Sequence, residues 1–123
     1  MDAATDIKTL LTGITSSIYI DILPDTPDDL IAIFSDGGMQ PDYTFGNGNV
    51  AMQKPTINII VRSTIRSTVI TYMASIKTAL SGKVNQTLNS TLYKAIIQDG
   101  DIMHLGRDEN DRIRQSIRFR LYV

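Results

Sequence analysis

The side chains with the most chemical potential here are one histidine, His104, a run of acids at Asp99, Asp101, Asp108, Glu109 and Asp111, and four arginines in the last segment. A lone histidine cannot be half of a two-histidine metal site, and no serine and acid stand around it in an order that suggests a triad. His104 therefore reads as a strand or turn residue. The acids lie close in sequence, but each falls near an expected turn, where aspartate is favoured because its carboxylate bonds nearby backbone N–H groups. Acid–base work by two carboxylates needs one cleft with two different environments, and no feature of the sequence supplies that. The absence of cysteine excludes disulfides, thiolate zinc sites and thiol catalysis. We expect no catalytic residue, no metal site and no cofactor.

The arginines make the clearest local pattern. From Asp111 to Val123, residues Ile113, Ile117, Phe119, Leu121 and Val123 fall on one side of an extended chain, with Gln115 the polar exception. Arg112, Arg114, Ser116, Arg118, Arg120 and Tyr122 fall on the other. At about 3.3 Å per residue the guanidiniums would span roughly 26 Å. Such a stripe could follow a nucleic-acid backbone, clasp acids of another protein subunit, or pair with carboxylates of neighbouring strands. Nucleic acid is disfavoured by the formal net charge of -1 and by the lack of aromatic residues interleaved along the stripe.

The second feature is the segment 36–54, DGGMQPDYTFGNGNVAMQK, which keeps neither helical nor strand periodicity and is rich in Gly, Asn, Asp and Pro. Loops this long in a compact domain are uncommon and usually functional or mobile. Gly46-Asn47-Gly48-Asn49 lacks the Lys-Ser or Lys-Thr pair of a phosphate cradle, and Asp36 and Asp42 lack the alternating oxygen ligands of a calcium loop. A partner-contact arm or flexible hairpin fits better, anchored by Met39, Tyr43, Phe45 and Met52.

These residues need elements to position them. Ala3, Ile7, Leu10, Leu11 and Ile14 mark one face of a helix with Asp2 as its N-cap. Ser17–Leu23 alternates as a strand before Pro24 and Pro27, and Leu30–Phe34 is apolar on both faces, as a covered central strand would be. Pro55–Arg62 is a third strand. Val69, Met73, Ile76 and Leu80 define a second helix over Ser67–Ser81, with Gly82 at its C-terminal cap. Leu92–Ile97 follows as a strand, and a hairpin turning within Gly106–Asp111 closes the chain. Short connections and too few helices for crossovers imply an α+β fold, a mainly antiparallel β-sheet with two helices packed on it, plus a long loop or β-hairpin arm.

The 123 residues, 42% of them hydrophobic, suit one domain over 1–123. No apolar run approaches the roughly 18 residues that span a bilayer, and the first residues do not resemble a secretion signal, so we expect a soluble protein made inside the cell with no membrane partner.

Taken together, the pattern resembles the minor capsid and tail-terminator (tail-completion) proteins of long-tailed bacteriophages. The resemblance rests on Ile20-Asp21-Ile22-Leu23-Pro24, Ala32-Ile33-Phe34-Ser35-Asp36-Gly37-Gly38, Lys54-Pro55-Thr56-Ile57-Asn58-Ile59-Ile60-Val61-Arg62, the helix containing Tyr72 and Ala74, and Gly106–Arg112 before a closing strand with Ser116 and Phe119. Such proteins tend to carry Gly where Asp111 stands here. The resemblance implies a virion protein of the tail or neck, assembled in the host cytoplasm. It implies a non-enzymatic subunit of a hexameric ring that caps the tail tube and meets the head connector, with DNA at most passing through the lumen. In such a ring Arg112, Arg114, Arg118 and Arg120 would bridge to Asp25, Asp28 and Asp29 of an adjacent subunit, and Met39, Tyr43 and Phe45 would contact partners. A head-completion or stopper protein of the neck is the nearest alternative, and a nucleic-acid-binding accessory domain a more distant one.

Overall fold

The structure, a computed structural model, describes residues 2–43 and 50–123. Helix α1 (Ala3–Leu11) starts at Asp2, whose carboxylate accepts a 3.3 Å hydrogen bond from the Thr5 N–H, one of the donors a first helical turn leaves unpaired. Its face of Ala4, Ile7 and Leu11 is buried. Strand β1 (Ile18–Ile20) is shorter than the Ser17–Leu23 segment expected, because Asp21 turns to φ +61° and gives its N–H to the Ile33 carbonyl.

Strands β2 (Leu30–Tyr43) and β3 (Val50–Ser63) form an antiparallel hairpin of 14 residues a side. Much of the expected loop over 36–54 is therefore strand, so of the long loop or β-hairpin expected there the hairpin is the one observed. Pairing continues through Gly38–Pro55, Met39–Lys54, Asp42–Met52 and Tyr43–Val50, with register shifts after Ser35, Met39 and Asp42. Each shift breaks the two-residue alternation, which is why no strand period is visible in that stretch. Gly37, at φ +70°, sits in the first shift, where its lack of a Cβ removes the strain of a left-handed backbone.

Helix α2 (Arg66–Leu80) buries Val69, Met73, Ile76 and Leu80, as the spacing requires. Gly82 at φ +74° ends it. Strands β4 (Lys83–Leu88) and β5 (Thr91–Gln98) then pair through a two-residue turn in which Asn89 and Ser90 both have positive φ, the geometry that matches strand twist. Strand β4 is absent from the sequence reading, since it is polar and Asn85, at φ +52°, interrupts it. Strands β6 (Met103–Arg107) and β7 (Ile113–Tyr122) form the expected closing hairpin, and Asp111 takes φ +59° at the position where glycine would be easiest.

Among the described residues the sheet runs β1-β2-β3-β7-β5-β4, with β6 also on β7. One edge of β7 carries β3, and the other is shared by β6 along Ile113–Ser116 and β5 along Phe119–Tyr122. All pairs are antiparallel except β1 with β2. Both helices lie on one face, where Ile31, Ile33, Ile57, Ile59, Ile117, Phe119 and Leu121 meet them in a single core. Across that core the buried Asp6 of α1 accepts hydrogen bonds from the Tyr93 hydroxyl and, at 2.7 Å, from Asn89 Nδ2, which ties the helix to the β4–β5 hairpin.

Candidate assembly surface

The two faces of β7 separate as the alternation requires. Ile117, Phe119 and Leu121 enter the core, and Gln115 is buried beside them with its amide 3.0 Å from His104 Nδ1. The arginines point to the face without helices, but they do not form one open row. Arg118, about half exposed, pairs with Asp36 at 3.0 Å, and Arg120 pairs with Asp99 at 3.2 Å. Arg114 is half-buried and, among the described residues, reaches the Leu105 carbonyl at 3.5 Å.

Arg112 is buried and works as a staple. Its Nε donates to Asp108 Oδ2 at 2.7 Å, Nη2 to Asp25 Oδ1 at 3.0 Å, and Nη1 to the Asp25 carbonyl, with Asp28 Oδ1 at 3.4 Å. Burial on its own pushes the Asp108 carboxyl up. Hydrogen bonds from the Arg112 N–H and guanidinium and from the Asn110 N–H, together with the Arg112 charge, outweigh it and hold that carboxyl below the ordinary carboxylate value. Arg62 completes the device from β3, donating to the Pro27 carbonyl at 2.7 Å and the Asp28 carbonyl at 3.3 Å. Burial first, and then the facing Arg112 charge, lower the Arg62 guanidinium from its ordinary value. Asp29 accepts a 2.6 Å hydrogen bond from the Ser63 hydroxyl. Arg112, Asp25 and Asp28 thus meet within one chain, and the loop before β2 is fastened to the β6–β7 turn. We refer to this exposed acidic end as the knob.

Of the expected arm contacts, Phe45 lies outside the described residues, as do the side chains of Met39 and Tyr43. Their strands carry Met39 opposite Lys54 and Tyr43 opposite Val50. The base of the arm is held to the end of β7 by a reciprocal pair of 2.9 Å backbone bonds between Gln53 and Val123.

Sequence reasoning missed the apolar part of the helix-free face. Cross-strand rows place Ala32, Ile60, Ser116 and Met103 together, then Phe34, Asn58 and Arg118, then Thr56, Arg120 and Ile97, then Val84, Ala95 and Tyr122. Val84, Ile97 and Met103 are 59%, 48% and 60% exposed. Asn58 Oδ1, Arg114 Nε and Arg120 Nε are buried in the same face without a hydrogen-bond partner among the described residues. The one available signal was Ile96-Ile97, apolar on both sides of a strand with only one helix-covered side to bury. This mixture of aliphatic, aromatic and arginine side chains is the composition of protein interfaces.

The family model described as "Bacteriophage tail terminator protein" matches residues 4–123. No curated protein matches the sequence. Among solved structures, a chain from "Virion of native gene transfer agent (GTA) particle" superposes with a TM-score of 0.67 at 14% identity, covering 98% of this chain and 92% of that one.

Proposed function

The chain belongs to the bacteriophage tail terminator family and is a structural protein of the virion, and from that premise we propose that it works without catalysis, by closing into a homo-oligomeric ring, a hexamer, on the end of the tail tube. In this reading the ring caps the tube and then offers the head-completion or connector protein its docking surface. The observation that carries it is the helix-free sheet face, which leaves Val84, Ile97 and Met103 in water around Arg118 and Arg120. A large apolar group left exposed beside arginine gains from burial against a partner in a way that a scattered surface residue does not.

Arg114, Arg118 and Arg120 supply the charged contacts of that face, while the arm, with Met39, Tyr43 and Phe45, supplies an extended one. Arg112 contributes indirectly, because its hydrogen bonds keep Asp25 and Asp28 in place for contact with the adjacent subunit, beside Asp29. With Arg112, Arg118 and Arg120 already paired to carboxylates, little free charge remains on that face for phosphate, so in this reading DNA is at most a passenger through the lumen. The test is the mass of the full chain by light scattering, alone and with purified tail tubes, for the natural protein and for Arg118→Glu combined with Arg120→Glu. A discrete ring that the double variant cannot form, while its circular dichroism is unchanged, is the expected result. Equal ring formation by both would remove this face from the interface, and co-purification with filled heads rather than tubes would favour the stopper role.

A further inference from the structure

On the opposite side of the molecule a groove of about 430 Å³ runs between α2 and the start of β6. Arg66, Ile70, Met73 and Lys77 lie along its helical wall, with Ile102 and His104 across from them. The eleven residue steps from Arg66 to Lys77 make about three turns, so both cations fall on one helix face about 16 Å apart, with apolar side chains between them. Ile70 is exposed and Met73 forms the buried floor. Among the described residues neither Arg66 nor Lys77 has an ion-pair partner, whereas the one groove carboxylate, Asp101, accepts the Ile102 N–H at 2.7 Å.

The same chain carries a surface of the opposite sign. In the knob, the five acids Asp25, Asp28, Asp108, Glu109 and Asp111 stand against the four arginines Arg62, Arg107, Arg112 and Arg114, and Asp111 pairs with Arg107 at 3.1 Å. The Asp25 and Asp111 side chains are 79% and 83% exposed, and Glu109 is exposed without a partner among the described residues. The knob is held in shape before any partner arrives, since Arg112 and Arg62 fasten the loop before β2, and Asn110 Nδ2 bonds Asp25 Oδ1 at 3.2 Å. Such preorganisation reduces the entropy lost on docking.

We propose that the α2–β6 groove receives the acidic knob of a second copy of this chain, with Glu109 and Asp111 set against Lys77 and Arg66 and the turn covering Ile70 and Met73. Knob and groove are different patches of one molecule, so the contact is head-to-tail and repeats from subunit to subunit, as ring closure requires. This deepens the ring reading and rests on it.

The sequence has no cysteine, so Ile70→Cys and Asn110→Cys each introduce a single thiol. With full-length variants assembled on tail tubes and a short bis-maleimide added, mixing the two should give a cross-linked dimer that neither gives alone. Independently, Lys77→Glu or Glu109→Lys should weaken self-association by at least about tenfold, and the two together should recover most of it. Circular dichroism confirms that each variant folds. Links to the tube protein instead of a second copy, or a double variant no better than the singles, overturn the docking. A natural chain that stays monomeric with and without tubes overturns the ring reading and the docking with it. A natural ring insensitive to both reversals, with no cross-link, overturns the docking alone.

Discussion

At the residue scale, the contact between Asp6 and Tyr93 shows how one buried carboxylate holds two distant segments together. Asp6 lies in the first turns of α1, and its partners Asn89 and Tyr93 come from the β4–β5 hairpin more than 80 positions later. Removing the tyrosine hydroxyl leaves the buried Asp6 side chain with Asn89 as its one remaining side-chain donor among the described residues. Tyr93→Phe should therefore lower the unfolding free energy by about 1–3 kcal/mol, measured by urea denaturation at pH 7. Burial first, and then the Asp6 hydrogen bond and charge, hold the Tyr93 phenol above its ordinary value. The folded state thus keeps a proton that the unfolded chain gives up near pH 10, so the stabilisation is complete below that pH and is lost as pH climbs toward the raised folded value. Tyr93→Phe should flatten that alkaline decline, and a slope between pH 9 and 11 equal to that of the natural protein would refute the assignment. None of this was legible beforehand, because the face on which Asp6 lies can be read from spacing but its partner cannot. The arginines of β7 and Arg112 just before it make the same point. Alternation assigned their side of the strand, yet Arg112 became a buried staple and Arg118 a half-exposed pair because of what the loop before β2 and the start of the arm happen to bring near them.

Elements were legible in proportion to how much of their pattern faces the core. Both helices follow from apolar spacing, since α1 and α2 each bury one stripe and the end of α2 has a glycine where a left-handed residue is needed. Gly82 has open space where a Cβ would stand, so Gly82→Ala tests backbone conformation alone. It should cost roughly 1 kcal/mol through the strain of φ +74°, visible as a lower thermal midpoint with unchanged spectra. No loss would mean that the helix ends differently in solution. Strand β4 escaped because Lys83, Val84, Asn85 and Thr87 are exposed on a sheet edge, where no apolar period is imposed. The outer parts of β2 and β3 escaped for a different reason, the register shifts that reset their alternation. In both cases the backbone is strand while the side-chain pattern carries little of the usual evidence for it.

At the scale of the whole molecule, the α+β class and its mainly antiparallel sheet were readable from element order, but the asymmetry between the two faces of the sheet was not. Two helices cover one face, whereas the other leaves Val84, Ile97 and Met103 exposed, and in the proposed ring that face and the hairpin arm would be covered by partners. The body and the arm should therefore be separable. The base of the hairpin pairs Leu30–Ser35 with Ile57–Arg62 and carries core residues Ile31, Ile33, Ile57, Ile59 and Val61, all on the body side of the first register shift. Removing residues 40–53 and joining Met39 to Lys54 through Asn-Gly keeps that base and supplies a two-residue turn of the favoured type. It also removes the two backbone bonds between Gln53 and Val123, so a modest loss of stability is expected, on the order of 1–3 kcal/mol. If the arm is an assembly device, the shortened chain should retain its circular dichroism and cooperative unfolding yet fail to form rings on tail tubes by light scattering and electron microscopy. A shortened chain that still assembles would assign the contacts to the sheet face and the groove. One that cannot fold would mean that the arm stabilises the subunit itself, because the energy of the β2–β3 pairing would then be needed before any partner is met.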